Sequence, residues 1–341
     1  MKVISFRQSL PISDPESFLD LNKDRPGPRV RDLLVEIRAI GINPVDAKIR
    51  AGGGPGSPSG DRTILGWDAA GIVRAIGPAV MLFAPGDEVF YAGSIDRPGC
   101  YAEYQCVDER IVGRKPRSVG FAESAAMPLT TITAWEMLFD RLKVDRAQEG
   151  SLLIVGGAGG VGSISTQLAR ELTNLNVIAT TSRPDTRDWC LKMGAHYVVD
   201  HRQSFSDQVK AIAPGGVNYV MALTKVEDHF DGIIESMAPQ SAMALIENPA
   251  QPLEITKLKP KSISLHWEFM FTRSRYQTAD MGEQGRLLTE VGTLMDASRI
   301  RTTLRTNLGQ ITAENMKRAH ALVESGRTIG KIVLEGFSED R

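Results

Sequence analysis

Residues 152–163 read LLIVGGAGGVGS. Four aliphatic residues in a row, Leu152 to Val155, suit a strand buried on both faces, and the chain then breaks into glycine. Gly157, Gly159 and Gly162 stand in G-x-G-x-x-G register: the first permits a tight turn, the second lets backbone approach a pyrophosphate, and the third lets a helix pack close on the strand. Ala158, Gly160 and Val161 complete the candidate phosphate-binding turn. Alone, this register also fits a plain glycine-rich connector, so the flanks decide. Residues 163–172 place Ile164, Leu168 and Leu172 on one helical face, and 176–181 (NVIATT) reads as a second strand. Residues 151–181 therefore make one βαβ unit of about thirty residues, and the ligand it suits is a dinucleotide.

The end of the second strand bears on which dinucleotide. NAD-binding units carry an Asp or Glu there for the ribose hydroxyls, whereas this chain reads Thr180, Thr181, Ser182, Arg183, Pro184. Arg183, with Ser182 and Arg187, can pair with a 2′-phosphate through charge-assisted bonds. The expected cofactor is NADP(H). A plainer reading leaves both arginines as solvated helix-entry residues, with Asp185 and Asp188 diluting the positive field.

At 341 residues with a formal net charge of -1, the chain is long enough for two domains and carries no electrostatic footprint for nucleic acid or an acidic membrane. The opening MKVISFRQSLPISDPESF lacks the apolar core of a signal peptide, and no apolar run reaches membrane-span length. A cytoplasmic location is the expectation. Cys100, Cys106 and Cys190 are too few for a disulfide framework and fit reduced thiols.

The first third is dense in β signals: 33–40 (LLVEIRAI) alternates, 69–76 (AAGIVRAI) is strand-like, and Pro85-Gly86-Asp87 reads as a turn before the strand 88–91. The glycine, proline and serine tract at 51–60 reads as a mobile loop near a cleft, with a linker as the alternative. From Thr130 the pattern changes. A helix at 132–141 and the βαβ unit precede strand candidates at 196–199, 219–222, 242–246 and 263–267, an alternation with helices that implies a parallel sheet. The tail adds a helix at 313–325 and a strand at 331–334.

Seven segments, 41–46 (GINPVD), 65–73 (LGWDAAGIV), 85–89 (PGDEV), 99–107 (GCYAEYQCV), 129–135 (LTTITAW), the GGAGGVG turn and 330–334 (GKIVL), occur in the order found in the medium-chain dehydrogenase/reductases. The chain most resembles the quinone-oxidoreductase branch and its zinc-type alcohol dehydrogenase-like relatives. The fold this implies is α/β: a Rossmann doubly wound parallel sheet domain at 129–273, and a GroES-like β-rich domain built from 1–128 and 274–341. It also implies an active site in the cleft and a homodimer.

Zinc-using members of that family resemble GxC and GHE at two ligand positions; here those positions are Asn43 and Gly66-Trp67-Asp68. The five histidines are His196, His201, His229, His266 and His320, so the first half of the chain holds no imidazole. A structural zinc needs four Cys or His ligands, and the corresponding lobe offers Cys100 and Cys106. Asp46, Asp68 and Glu103 suit magnesium or calcium better than zinc. No metal is expected.

Without a Lewis acid, nothing stabilises the alkoxide that alcohol oxidation requires. An enone or quinone delocalises the arriving charge itself, so the protein need only align the acceptor, supply donors and exclude water. Asn43 suits that task as a carbonyl donor or as a support for the nicotinamide ribose; its plainer reading is a turn residue before Pro44. The resemblance places Asp46 near the nicotinamide end and Thr130 and Thr133 by nicotinamide or phosphate, though helix capping explains either threonine. It places His201 beside adenine, where a surface histidine is the alternative, and makes Asn248 and Lys331 further cofactor candidates, with a solvated lysine the default for the latter. Trp67, His266, Trp267 and Phe269 are aromatic candidates for the acceptor pocket, and core packing is the competing explanation. A metal-dependent alcohol dehydrogenase and a non-catalytic NADPH-binding protein stay open as the other function classes.

Overall fold

The computed structural model describes residues 1–53 and 63–337; most of the 51–60 tract lies outside the described residues. Two compact units emerge, Met1–Ile132 with Phe271–Arg341 as unit 1 and Thr133–Met270 as unit 2.

Unit 1 begins with strands β1 (Lys2–Ser5), β2 (Leu19–Asn22), β3 (Asp32–Ile42), β4 (Ala69–Ile76), β5 (Glu88–Tyr91), β6 (Tyr104–Asp108) and β7 (Val112–Arg114). Unit 2 carries β8 (Glu149–Val155), β9 (Asn174–Thr181), β10 (Tyr197–Asp200), β11 (Val217–Ala222), β12 (Met237–Leu245) and β13 (Ser264–Trp267). The chain then returns to unit 1 with β14 (Leu304–Asn307) and β15 (Lys331–Glu335).

In unit 2 the six strands lie in the order β10-β9-β8-β11-β12-β13, every neighbouring pair parallel. This is the Rossmann order, reversing at β8, and ligands of such sheets bind beyond the carboxyl ends of the strands at the reversal. The aliphatic runs read from sequence are buried as a doubly covered sheet demands: Leu152, Leu153 and Ile154 are all 0% exposed. On one face Leu153, Ile178, Val220, Met243 and Leu245 pack with Val209, Phe230 and Ile233 from the covering helices.

Unit 1 is built on an antiparallel scaffold in which β15 adds to β3, and β3 in turn pairs with β4 and β6. The pairing of β15 with β3 matches Ile332 to Ile42. That register brings the residue before Ile332 beside the residue after Ile42, which are Lys331 and Asn43. Strand β3 is buried along nearly its whole length, explaining why DLLVEIRAIGI alternates only weakly.

The largest departures of element boundaries from the sequence reading are two. The helix expected at 132–141 runs as α-helix over Pro128–Trp135 and widens to a π-helical turn over Glu136–Arg141. Its earlier start follows from Pro128, whose fixed φ suits a first helical turn, and from Leu129, whose N–H finds a carboxylate, Asp68. The strand expected at 242–246 starts at Met237, with a register shift against β11. Among the described residues, no helix is long and apolar enough to cross a membrane.

Candidate functional site

In unit 2 the glycine turn joins β8 to the helix Gly160–Leu172. The left-handed residue is Gly156 (φ +87°), one position before the glycine that the motif register assigns to the tight turn. Gly157 instead serves packing: a Cβ there would lie 2.7 Å from the Ala179 Cβ and 3.1 Å from the Cys190 sulfur. Gly162 closes helix on strand, since a Cβ would lie 2.6 Å from the Gly157 oxygen. Gly159, the helix N-cap, faces open space, its nearest obstacle being the Gly156 oxygen 3.7 Å away. Ala158 is buried, whereas Gly159, Gly160 and Val161 are half-exposed. Backbone accessible at a helix start, with N–H groups that no helical carbonyl can satisfy, fits a pyrophosphate.

The turn is tied to the neighbouring strand. Gly156 N–H donates to the Thr180 hydroxyl at 3.1 Å, and that hydroxyl lies 3.3 Å from His201 Nδ1. His201 thus stands at the end of β9 and β10, close to the turn, and its imidazole is pushed below its ordinary pKa by burial and by His229. Strand β9 ends at Thr181 with no carboxylate, and Arg183 caps the helix Pro184–Lys192. Arg183 pairs with Asp185 at 3.2 Å, a contact made on an exposed carboxylate. Arg187 reaches back to the Val198 carbonyl at 2.7 Å, and Ser182 is half-buried between strand and helix. Asn248 is exposed beyond the end of β12.

His266 and Trp267 end the edge strand β13; His266 and Phe269 are half-buried and Trp267 is 51% exposed. Between Trp267 and Phe269 lies a group the sequence reading missed. Glu268 is buried, bonds Arg141 Nε at 2.8 Å and shares its surroundings with the buried Glu136. Burial first, then the neighbouring Glu136 charge, raises the Glu268 carboxyl far above the ordinary range.

Unit 1 holds the second constellation. Asn43 caps the helix Pro44–Arg50, and its N–H donates to Asp46 Oδ2 at 2.7 Å. Its side-chain amide donates to Asp68 Oδ2 at 2.8 Å. The Lys331 ammonium donates to Asn43 Oδ1 at 2.5 Å, Asp68 Oδ2 at 2.7 Å and the Ile42 carbonyl at 2.9 Å. Lys331, read from sequence as a cofactor contact, therefore has its three donors engaged inside unit 1. Asp68 Oδ1 accepts the Leu129 N–H at 2.7 Å, at the positive end of a helix. Asn43, Asp46, Asp68 and Lys331 are each 3% exposed or less. Burial raises the Asp68 carboxyl, with Lys331 opposing, and raises Asp46 to about 7.

Behind Asp46 runs a buried chain that the sequence did not reveal. Tyr101 Oη donates to Asp46 Oδ2 at 2.9 Å and lies 3.1 Å from His320 Nε2. His320, wedged edge-on to Phe18, is driven by burial to a pKa of about 3. It stays neutral at physiological pH. Thr130 is turned inward, donating to the Met127 carbonyl at 3.1 Å, and Thr133 is likewise buried. Trp67 lies in the core at 2% exposure, its indole N–H on the Ser94 carbonyl at 3.1 Å and its ring edge-on to Phe271.

Zinc does not fit this donor set. The oxygens of Asn43 and Asp68 converge on an ammonium, and a dication there would meet that charge. The nearby Cys100 thiol donates to the Asp68 carbonyl, and burial holds its pKa well above the ordinary thiol range, so it offers no thiolate. Among the described residues no group of three or more His, Cys, Asp or Glu side chains could hold a metal ion.

Residues 29–117 match the alcohol dehydrogenase GroES-like domain, and 160–287 match the zinc-binding dehydrogenase family. A zinc-type alcohol dehydrogenase-like protein of Staphylococcus aureus is 37% identical over 338 residues, covering 98% of this chain and 99% of that one. The crystal structure of a Rhizobium etli protein, solved as a candidate zinc-dependent alcohol dehydrogenase, is 50% identical and superposes with a TM-score of 0.96 over 99% of both chains. Escherichia coli quinone oxidoreductase, complexed with NADPH, is 25% identical with a TM-score of 0.82, covering 98% of this chain and 100% of that one.

Proposed function

Because the chain belongs to the zinc-type alcohol dehydrogenase-like proteins of the medium-chain dehydrogenase/reductases, a superfamily of oxidoreductases, we propose that it reduces quinones or other α,β-unsaturated carbonyls with NADPH and without zinc. The observation that carries this reading is the ammonium of Lys331 set between Asn43 and Asp68 where a Lewis acid would be needed for alcohol chemistry. Conjugated acceptors make no such demand. Their own carbonyl takes up the charge as hydride arrives, and bound NADPH supplies that hydride.

The remaining tasks are assigned to backbone and side-chain groups of both units. The half-exposed backbone at Gly159, Gly160 and Val161 holds the pyrophosphate, and Arg183 exchanges its exposed partner Asp185 for the 2′-phosphate, with Ser182 and His201 beside it. The NADPH complex of the Escherichia coli relative supports that choice of cofactor. Asn43 donates its second amide hydrogen toward the acceptor carbonyl or the nicotinamide ribose, and Asp46 holds Asn43 from below. We also propose a homodimer in the cytoplasm, and the molar mass from light scattering checks the dimer.

The test is steady-state oxidation of NADPH against a panel of quinones and enones, set beside oxidation of primary and secondary alcohols with NADP⁺. Turnover of the conjugated acceptors, unchanged by a chelator, is expected. Alcohol oxidation that disappears with the chelator would overturn the reading in favour of a metal enzyme. Tight NADPH binding with no turnover on any acceptor would favour a binding protein.

A further inference from the structure

We infer that Lys331 is the resident cation of unit 1: a tethered ammonium that occupies an oxygen cage, neutralises Asp68 and sets which way the Asn43 amide points. The cage has three walls from two parts of the chain, the adjacent residues Ile42 and Asn43 and the more distant Asp68. The Ile42 carbonyl comes from the end of β3, Asn43 Oδ1 from the first helix cap, and Asp68 Oδ2 from the residue preceding β4, at 2.9, 2.5 and 2.7 Å from Nζ. An ammonium has three hydrogens, so each wall receives one and the group is satisfied.

Charge makes the cage specific for a monocation. Asp68 is 0% exposed, and its other oxygen is already taken by the Leu129 N–H. A buried carboxylate needs a full counter-charge close by, which neutral donors alone do not supply. Lys331 provides it, and the same bond dictates the amide: because Asn43 Oδ1 accepts from the lysine, its nitrogen must face Asp68. A flipped amide would set N–H against ammonium and oxygen against carboxylate. Lys331 is in this sense a positioning residue. The inference rests on the zinc-free part of the proposed function for its meaning, but its test reads occupancy of the cage and not turnover.

Lys331→Ala empties the cage while keeping its oxygens. The variant is expected to lose about 10 °C in thermal midpoint, as an uncompensated buried carboxylate should. Ethylammonium or propylammonium at tens of millimolar should restore part of that loss in Lys331→Ala and leave the wild type unmoved, while tetramethylammonium, which has no N–H, restores nothing. Equal effects of all three amines on variant and wild type would overturn the inference. If Lys331→Ala does not accumulate folded, the double variant Asp68→Asn/Lys331→Met decides, because both charges leave together. It should fold and melt above Asp68→Asn, which leaves the ammonium buried without its acid, and failure to fold or a melting point no higher than that of Asp68→Asn would overturn the inference. Zinc analysis of purified wild type gives a separate reading. Far less than one equivalent is expected, and a full equivalent that Asp68→Asn abolishes would place a metal in the cage instead.

Discussion

Replacing Asp46 with asparagine isolates the electrostatic state of the buried cluster. Burial raises the Asp46 carboxyl from 3.8 to about 7, so the folded protein holds this proton more tightly than the unfolded chain. The stability this contributes is fully present below pH 3.8 and is lost as pH rises through about 7. For those two values the wild type should lose about 2.5 kcal/mol between pH 5 and pH 8 through this one group. Asparagine keeps the shape and cannot ionise. Its carbonyl can take the place of Oδ2, which accepts from Asn43 and Tyr101, but its NH₂ then falls where Oδ1 finds no partner. Asp46→Asn therefore carries a pH-independent cost of about 1–3 kcal/mol. Urea unfolding of both proteins at pH 5, 6.5 and 8, followed by far-ultraviolet circular dichroism, gives the difference in stability at each pH. Titration of distant groups cancels in that difference. It should narrow by about 2.5 kcal/mol as pH rises, bringing the variant level with or above the wild type at pH 8. A difference constant with pH would refute the reasoning, showing that Asp46 keeps one protonation state between pH 5 and pH 8.

Arg183→Ala should weaken NADPH binding about tenfold or more while changing NADH binding little, since the lost bonds are charge-assisted ones to the 2′-phosphate; equal losses by fluorescence titration would remove that role. Gly162→Ala sets a methyl 2.6 Å from the Gly157 oxygen and 2.7 Å from the Gly156 oxygen, so the helix must shift off the turn. It should cost about 1–3 kcal/mol of stability and reduce NADPH affinity as well, and an unchanged melting curve with unchanged affinity would contradict the packing role. Glu268→Gln imitates the protonated carboxyl that burial and Glu136 favour, and should cost no more than about 1 kcal/mol at pH 7, whereas Glu268→Ala strips Arg141 of its 2.8 Å partner and should cost about 3 kcal/mol. Equal thermal losses for the two would mean that Glu268 is ionised in the fold.

What could be read from the sequence was local. The βαβ unit is contiguous, its aliphatic and helical periodicities are strong, and the parallel sheet followed from their alternation. Even there the motif register put the turn on Gly157, because in a run of adjacent glycines spacing alone does not say which residue takes positive φ. The buried cluster is the opposite case. Asn43 was singled out, yet its partner Lys331 lies 288 positions away, and only the pairing of β15 with β3 brings the two together. Asp68 reads from sequence as part of an oxygen set better suited to magnesium or calcium than to zinc, and not as the acid that a buried lysine requires. One signal was available: Lys331 directly precedes the apolar run Ile332-Val333-Leu334, and a lysine leading into a buried strand must find an acid. Tyr101 and His320 left no comparable trace, since their roles come from a tertiary contact between a loop and a distant helix.

The separation of Lys331 from Asn43 also has a consequence for biosynthesis. At about 5–20 residues per second, a ribosome takes roughly 15–60 s to cover that interval. Unit 2 is complete once Met270 has emerged, and it can fold during the wait. Unit 1 cannot, for until β15 arrives the β3 edge it will cover is open and Asp68 has no counter-ion to be buried with. The nascent chain thus passes through a stage with its middle, unit 2, folded and the unit 1 residues before it in need of protection, and a stall between residues 270 and 331 would leave those residues as a client for chaperones or proteases.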